Sequence, residues 1–157
     1  MIDVSMRLAI EDLYAMYASY LDSARYEQWL DLFTEDCLYR VIPRENYDAG
    51  LPLATMGFES KGMLKDRVYG VMQTLVHAPY YQRHLVSGLR VVQSDVGWAR
   101  VEANYLVLRT KRHELTELFN TGRYLDRLVC EQGQWRFAEK LCVFDSELIP
   151  NSIIYPI

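Results

Sequence analysis

The chain opens on a helical pattern. Ile10, Leu13, Tyr14, Tyr17 and Leu21 recur at i, i+3, i+4 and i+7 and draw one apolar stripe. Asp3 or Ser5 supplies an N-cap, and Asp22-Ser23 marks the end. A second short helical pattern holds Trp29, Leu30, Leu32 and Phe33, and Thr34-Glu35-Asp36 breaks it. Residues 37–42 then read as a strand stopped by Pro43. Residues 43–59 carry Pro43, Asn46, Asp48, Gly50, Pro52 and Gly57 and read as a long connection, the kind that sits at functional or interface positions. Ser60 caps a third helix with Leu64, Val68, Val71, Met72 and Leu75 on one face, and Ala78-Pro79 ends it.

After the helices the pattern changes to strands. Residues 81–93, 98–111, 119–130 and 134–144 form four long apolar segments, separated by Ser94-Asp95-Val96-Gly97, a polar stretch and Glu131-Gln132-Gly133. Their spacing predicts a meander of antiparallel pairs. Helices first and sheet second predict one α+β domain, residues 1–157, with helices packed on one face of a curved antiparallel sheet. The second strand alternates early, with Ala99, Val101 and Ala103 on one side and Arg100, Glu102 and Asn104 on the other. Tyr105, Leu106, Val107 and Leu108 then break the alternation, as in a strand covered on both faces. The chain's own helices cover one face, so the other is a candidate subunit interface.

Composition narrows the function. With 157 residues, half of them apolar, the chain can bury a core without staples. Its 17 basic and 21 acidic residues lack the basic balance of a nucleic-acid binder. No signal peptide is visible, and no apolar run approaches the ~18 residues of a membrane span. Cys37, Cys130 and Cys142 form no CxxC and read as free buried thiols in a reducing cytoplasm. Twelve tyrosines suit wet cavities and partner surfaces.

Metal chemistry has few donors here. His77, His84 and His113 lack the i, i+3 or i+4 spacing of two ligands on one helix face, and no Cys–X–His pairing offers a Rieske site. No nucleotide-binding or nucleophile-elbow motif is present. Scattered acid–base groups remain: Tyr14, Tyr17, Asp36, His84 and Asp126. Each has a plainer role. Tyr14 and Tyr17 lie on the core stripe, Asp36 at a corner and His84 beside Arg83. Asp126, between Arg123 and Arg127, suits a cross-strand salt bridge. Arg40, Arg44, Lys65, Arg67, Arg83 and Arg90 alternate with acids and read as a polar rim. Residues 145–157 are apolar to the end and carry two prolines, so this tail must dock, on its own sheet or on a partner.

Several stretches together resemble a known family: 29–39 (WLDLFTEDCLY), 63–68 (MLKDRV), Arg83-His84, 122–126 (GRYLD), 135–140 (WRFAEK) and the Ile149-Pro150 tail. In this order they resemble the small (beta) subunits of aromatic-ring-hydroxylating oxygenases. The 43–46 (PREN) and 50–53 (GLPL) segments and the ending 149–157 are most similar to subunits serving salicylate, anthranilate or terephthalate. The resemblance implies a cone-shaped nuclear transport factor 2-like (ketosteroid-isomerase-like) fold and a structural, non-catalytic role. It implies a large (alpha) subunit carrying the Rieske 2Fe-2S cluster and mononuclear iron, and small subunits meeting in a trimer. No catalytic or metal-binding residue carries over. A free-standing acid–base isomerase or dehydratase of the same fold is the alternative, and a ligand-binding or purely oligomeric module a third. The expected subunit contacts are Arg44, Tyr47, Arg83, His84, Tyr105, Val107, Arg109, Ile154 and Tyr155.

Overall fold

The computed structural model describes residues 3–74, 79–146, 148 and 153–157. Helix α1 (Val4–Asp22) buries Ile10, Leu13, Tyr14, Tyr17 and Leu21, the stripe expected from their spacing. Asp3 occupies the N-cap position, but its carboxylate accepts from the Ser5 hydroxyl instead of capping the helix. Helix α2 (Tyr26–Leu30) ends earlier than its pattern suggests. Phe33 belongs instead to strand β1 (Phe33–Pro43), because its ring is needed in the core. Thr34, Glu35 and Asp36 do not break the chain; they form an irregularity where β1 slips its register against the neighbouring strand.

Residues 43–59 are not a structureless loop. They hold helix α3 (Arg44–Asp48) and strand β2 (Met56–Phe58), both too short for a periodic signal. Helix α4 (Lys61–Tyr69) is capped as expected, the Ser60 hydroxyl accepting from the Met63 N–H at 3.1 Å. A π-helical turn, Gly70–Thr74, continues it. Leu75, His77 and Ala78 lie outside the described residues.

Strands β3 (Tyr80–Asp95), β4 (Trp98–Lys111), β5 (Glu117–Glu131) and β6 (Gln134–Phe144) form the expected antiparallel meander. The β5–β6 turn has positive φ at both Gln132 and Gly133, as a tight hairpin requires. The sheet is mixed, not purely antiparallel. Among the described residues its order is β2-β1-β6-β5-β4-β3, and β1 runs parallel to β6. That pairing joins residues about a hundred positions apart, so no local pattern announces it.

The curved sheet and the helices enclose one core. Tyr14, Tyr17, Trp29, Phe33, Tyr39, Tyr105, Tyr124, Phe137 and Phe144 are all essentially inaccessible to solvent. Each fully buried large apolar side chain contributes about 1.5–3 kcal/mol. Rings meet mostly edge-on or tilted, as at Trp29–Phe33 (4.9 Å) and Tyr17–Phe137 (5.4 Å), while Tyr105 and Tyr124 stack at 4.4 Å.

Gly122 permits the closest strand approach. A Cβ there would stand 1.9 Å from the Val143 carbonyl oxygen. At Gly62, on α4, a Cβ meets nothing closer than the Ser60 hydroxyl at 3.6 Å. Gly122→Ala is therefore expected to cost at least about 3 kcal/mol or prevent folding, as backbone overpacking does. Gly62→Ala is expected to stabilise by up to about 1 kcal/mol. Urea denaturation of the two variants checks both.

Candidate functional site

In a cone-shaped fold the interior is the natural place for a site, and here two buried acid–base pairs lie in it. The first joins β5, β6 and α1. Lys140 Nζ lies 2.8 Å from Asp126 Oδ2, both side chains fully buried. Asp126 Oδ2 also accepts from the Tyr14 hydroxyl, and Oδ1 accepts from the Leu141 N–H at 3.2 Å. The ammonium is boxed by rings, with centroids at 3.3 Å (Tyr124), 4.4 Å (Tyr17), 4.6 Å (Tyr14) and 4.6 Å (Phe137). Cation–π contacts reach about 2 kcal/mol each when desolvated. They offset part of the several kcal/mol per ion that burial costs. Burial pushes the Asp126 carboxyl up and the Lys140 ammonium down, and their mutual contact opposes both shifts. Asp126 thus pairs with Lys140 across β5–β6, not with Arg123 or Arg127. The spacing shows only that Asp126 is a strand residue; which cation it meets is a matter of register.

The second unit joins the end of α1 to β3. His84 Nδ1 lies 2.6 Å from Asp22 Oδ1, and the His84 backbone N–H donates to the same carboxylate at 3.0 and 3.1 Å. The Nε2 atom is buried with no hydrogen-bond partner among the described residues. The Tyr17 ring stands perpendicular at 6.5 Å. An imidazole oriented by a carboxylate is the geometry of a general base. Beside it, between α1 and β3, lies a groove of about 540 Å³ lined by His84 with Arg7, Glu11, Tyr14, Val86 and Leu89. Asp22 was missed by sequence reasoning, where it served only as a helix end; its partner is 62 residues away.

Other sequence candidates fall apart in space. Asp36 is exposed on β1. His113 is exposed, in the β4–β5 turn. Cys37 and Cys142 are buried and Cys130 is half-buried, all unpaired. Burial pushes the Cys37 thiol up to about 11 and Cys142 to about 12, so neither is a nucleophile at neutral pH. Among the described residues no three His, Cys, Asp or Glu side chains cluster as metal ligands. None of the described helices is long and apolar enough to cross a membrane.

The expected contact residues divide by burial. Arg44, Tyr47 and Arg83 are exposed, and Ile154 and Tyr155 are half-buried against the chain's own cone mouth. His84, Tyr105, Val107 and Arg109 face inward and are buried. Tyr105 donates to Asn120 at 2.6 Å, and Arg109 pairs with Glu117 at 2.6 Å beneath the Phe119 ring. The two-sided apolar stretch of β4 is real, but its open side is Leu106 and Leu108. Register places Leu85 opposite Leu106, and both Arg83 and Leu118 opposite Leu108. Leu85 and Leu118 are 48% and 61% exposed, so these leucines make an apolar strip on the outer sheet face.

Comparison with known proteins matches this architecture to named relatives. The family model for a SnoaL-like domain matches residues 3–140. The small subunit of anthranilate 1,2-dioxygenase from Burkholderia cepacia is 32% identical over 141 residues, 90% of this chain and 88% of that one. The chain belongs to the family of small subunits of aromatic-ring-hydroxylating dioxygenases. A beta subunit of the terephthalate 1,2-dioxygenase oxygenase component from a Comamonas species is 33% identical, covering 91% of this chain and 93% of the relative. A crystal structure assigned as a ring-hydroxylating dioxygenase beta subunit from Novosphingobium aromaticivorans superposes with a TM-score of 0.89 at 37% identity. It covers 99% of this small subunit and 100% of its own chain. The cone in this small subunit is therefore a packed core built on a scaffold that can hold a site.

The buried rings give the small subunit an alkaline limit. Burial holds Tyr14, Tyr17, Tyr39, Tyr105 and Tyr124 well above the ordinary tyrosine value of 10. Unfolding frees them to ionise at that value. Their stabilisation is complete below about pH 10 and is lost as pH rises toward the folded values, by up to about 1.4 kcal/mol per pH unit per tyrosine. Urea midpoints measured across alkaline pH, with phenolate absorbance, are expected to stay flat and then fall together with ionisation. Asp126→Ala, which strands the Lys140 charge, is expected to cost about 3–5 kcal/mol in the same assay at pH 7.

Proposed function

We propose that this chain is the non-catalytic structural small subunit of a Rieske non-haem iron oxygenase that hydroxylates a single-ring aromatic acid. The observation that carries the reading is the 32% identity over 90% of the chain to the anthranilate dioxygenase small subunit. The terephthalate relatives support the same substrate class. In this reading the chain is one domain that works in the cytoplasm. It braces a large subunit and meets its own copies in a trimer of alpha–beta pairs.

The Rieske cluster and the mononuclear iron then belong to the large subunit. Among the described residues the donors do not fit either group. A Rieske centre takes two cysteines and two histidines. Here Cys37, Cys130 and Cys142 lie on different strands, and His84 Nδ1 is already engaged by Asp22.

The free-standing acid–base alternative has the Asp22–His84 pair and the groove beside it in its favour, and the identity to dioxygenase small subunits against it. For assembly, the reading assigns partner contact to Arg44, Tyr47, Arg83 and the Leu85–Leu106–Leu108–Leu118 strip. Tyr105, Val107, His84 and Arg109 shape that strand from inside, and Ile154 and Tyr155 shape the mouth.

Co-expression with a large oxygenase subunit and affinity capture of this chain is the test. Iron and the large subunit are expected to follow it. Leu108→Asp with Leu118→Asp is expected to abolish capture while the thermal midpoint stays nearly unchanged, since surface substitutions move stability by about 0.5 kcal/mol or less. Turnover of an aromatic substrate by this chain alone would refute the structural role.

A further inference from the structure

Residues 153–157 close the mouth of the cone without joining the sheet. Arg67 donates to the carbonyls of Ile153 and Ile154 at 3.2 and 2.7 Å. The Tyr155 ring lies nearly parallel to Tyr26 at 6.4 Å and edge-on to Tyr80 at 4.9 Å. Ile157 reaches deepest, and none of it is exposed. Its N–H donates to the Tyr39 hydroxyl at 2.9 Å. Its carbonyl oxygen accepts from Tyr39 at 3.1 Å, from the Cys142 thiol at 3.4 Å and, closest of all, from Tyr17.

We propose that the seat of Ile157 is a binding site for a small monocyclic carboxylic acid, benzoate being the simplest. Residues 153–157 occupy it as an internal competitor. Three features carry this. The polar side of the seat is a converging donor set, two hydroxyls and a thiol aimed at one oxygen, which is how a carboxyl or carbonyl oxygen is recognised. Burial holds all three groups in their protonated, donating forms, Cys142 up to about 12.

The second feature is size. The Cα of isoleucine with its side chain is one carbon short of a benzene ring, and it hangs from the same kind of carbonyl carbon. The two tyrosines that hold it stand among other rings. Trp29 and Phe58 lie 5.9 and 6.2 Å from the Tyr39 ring, and Phe33 lies 6.3 Å from Tyr17. A ring acid can replace Ile157 almost atom for atom.

The third feature is that the stopper is detachable. The ladder hydrogen bonds of the sheet do not involve residues 153–157, so their departure leaves every strand pair intact. A ligand that takes over the same hydrogen bonds shifts the equilibrium between seated and displaced segments by its own affinity for the seat. The site is thus a place where an aromatic acid and the chain's own Ile157 exclude each other.

The test is a titration of the full chain, alone, with benzoate, followed by methyl NMR of isoleucine and by calorimetry. The Ile157 methyls start in a fully buried environment and are expected to move toward their free-chain positions as benzoate binds. Arg67→Ala removes two charge-assisted hydrogen bonds to the stopper outside the seat and is expected to tighten benzoate at least about tenfold. Toluene, which lacks the carboxyl, is expected not to compete. An Ile157 methyl that stays in place at saturating benzoate overturns the proposal, as does displacement by toluene equal to that by benzoate. If Arg67→Ala fails to fold, the methyl signal of the unmodified chain still decides. No large subunit is present in the titration, so the seat and the assembly role stand or fall separately.

Discussion

The structure is organised around a single buried ion pair. Lys140 and Asp126 sit opposite each other on β6 and β5 with no solvent access. Water cannot solvate them, so the surroundings must. Tyr14 reaches from α1 to complete the carboxylate, and four rings close over the ammonium. The strand register, the azimuth of α1 and the choice of aromatic residues are then not independent. A one-residue slip of β6 would turn Lys140 to the outer face and leave Asp126 stranded.

This arrangement also explains why the cone works as a core. A buried charge pair needs dense, polarisable neighbours, and the rings that supply them fill the space around Lys140. What remains of catalytic geometry, the oriented Asp22–His84 pair, ties the end of α1 to the edge strand β3. The same carboxylate takes the His84 backbone N–H, so it fixes main chain as well as side chain. The pair acts as a clasp. Surface chemistry, including the leucine strip on β4 and β5, is left to carry assembly, in keeping with a small subunit whose relatives are named as parts of larger dioxygenases.

The helices and the meander were legible because their signals are local. The α1 stripe, the Ser60 cap and the Gln132-Gly133 turn each depend on residues within one turn of helix or one hairpin. The family resemblance was legible for a similar reason, since it rests on short segments kept in order. Residues 43–59 were misread because α3 and β2 are shorter than the window in which periodicity can be seen. The interior contacts of Tyr105 and Val107 were placed at an interface because alternation shows that both sides of a strand are apolar, not which side faces inward.

By itself the sequence determined the order of the long helices and strands, the α+β class, the Ser60 cap and the scarcity of metal donors. These follow from spacing and residue type. Only the tertiary structure decided that β1 lies parallel to β6, that Asp126 chooses Lys140 over its arginine neighbours, that Asp22 meets His84, and that Ile157 enters the cone. Each of these joins groups on separate elements, through register and side-chain reach. A partner chosen in three dimensions leaves no period along the chain, and so it cannot be read before the chain is folded.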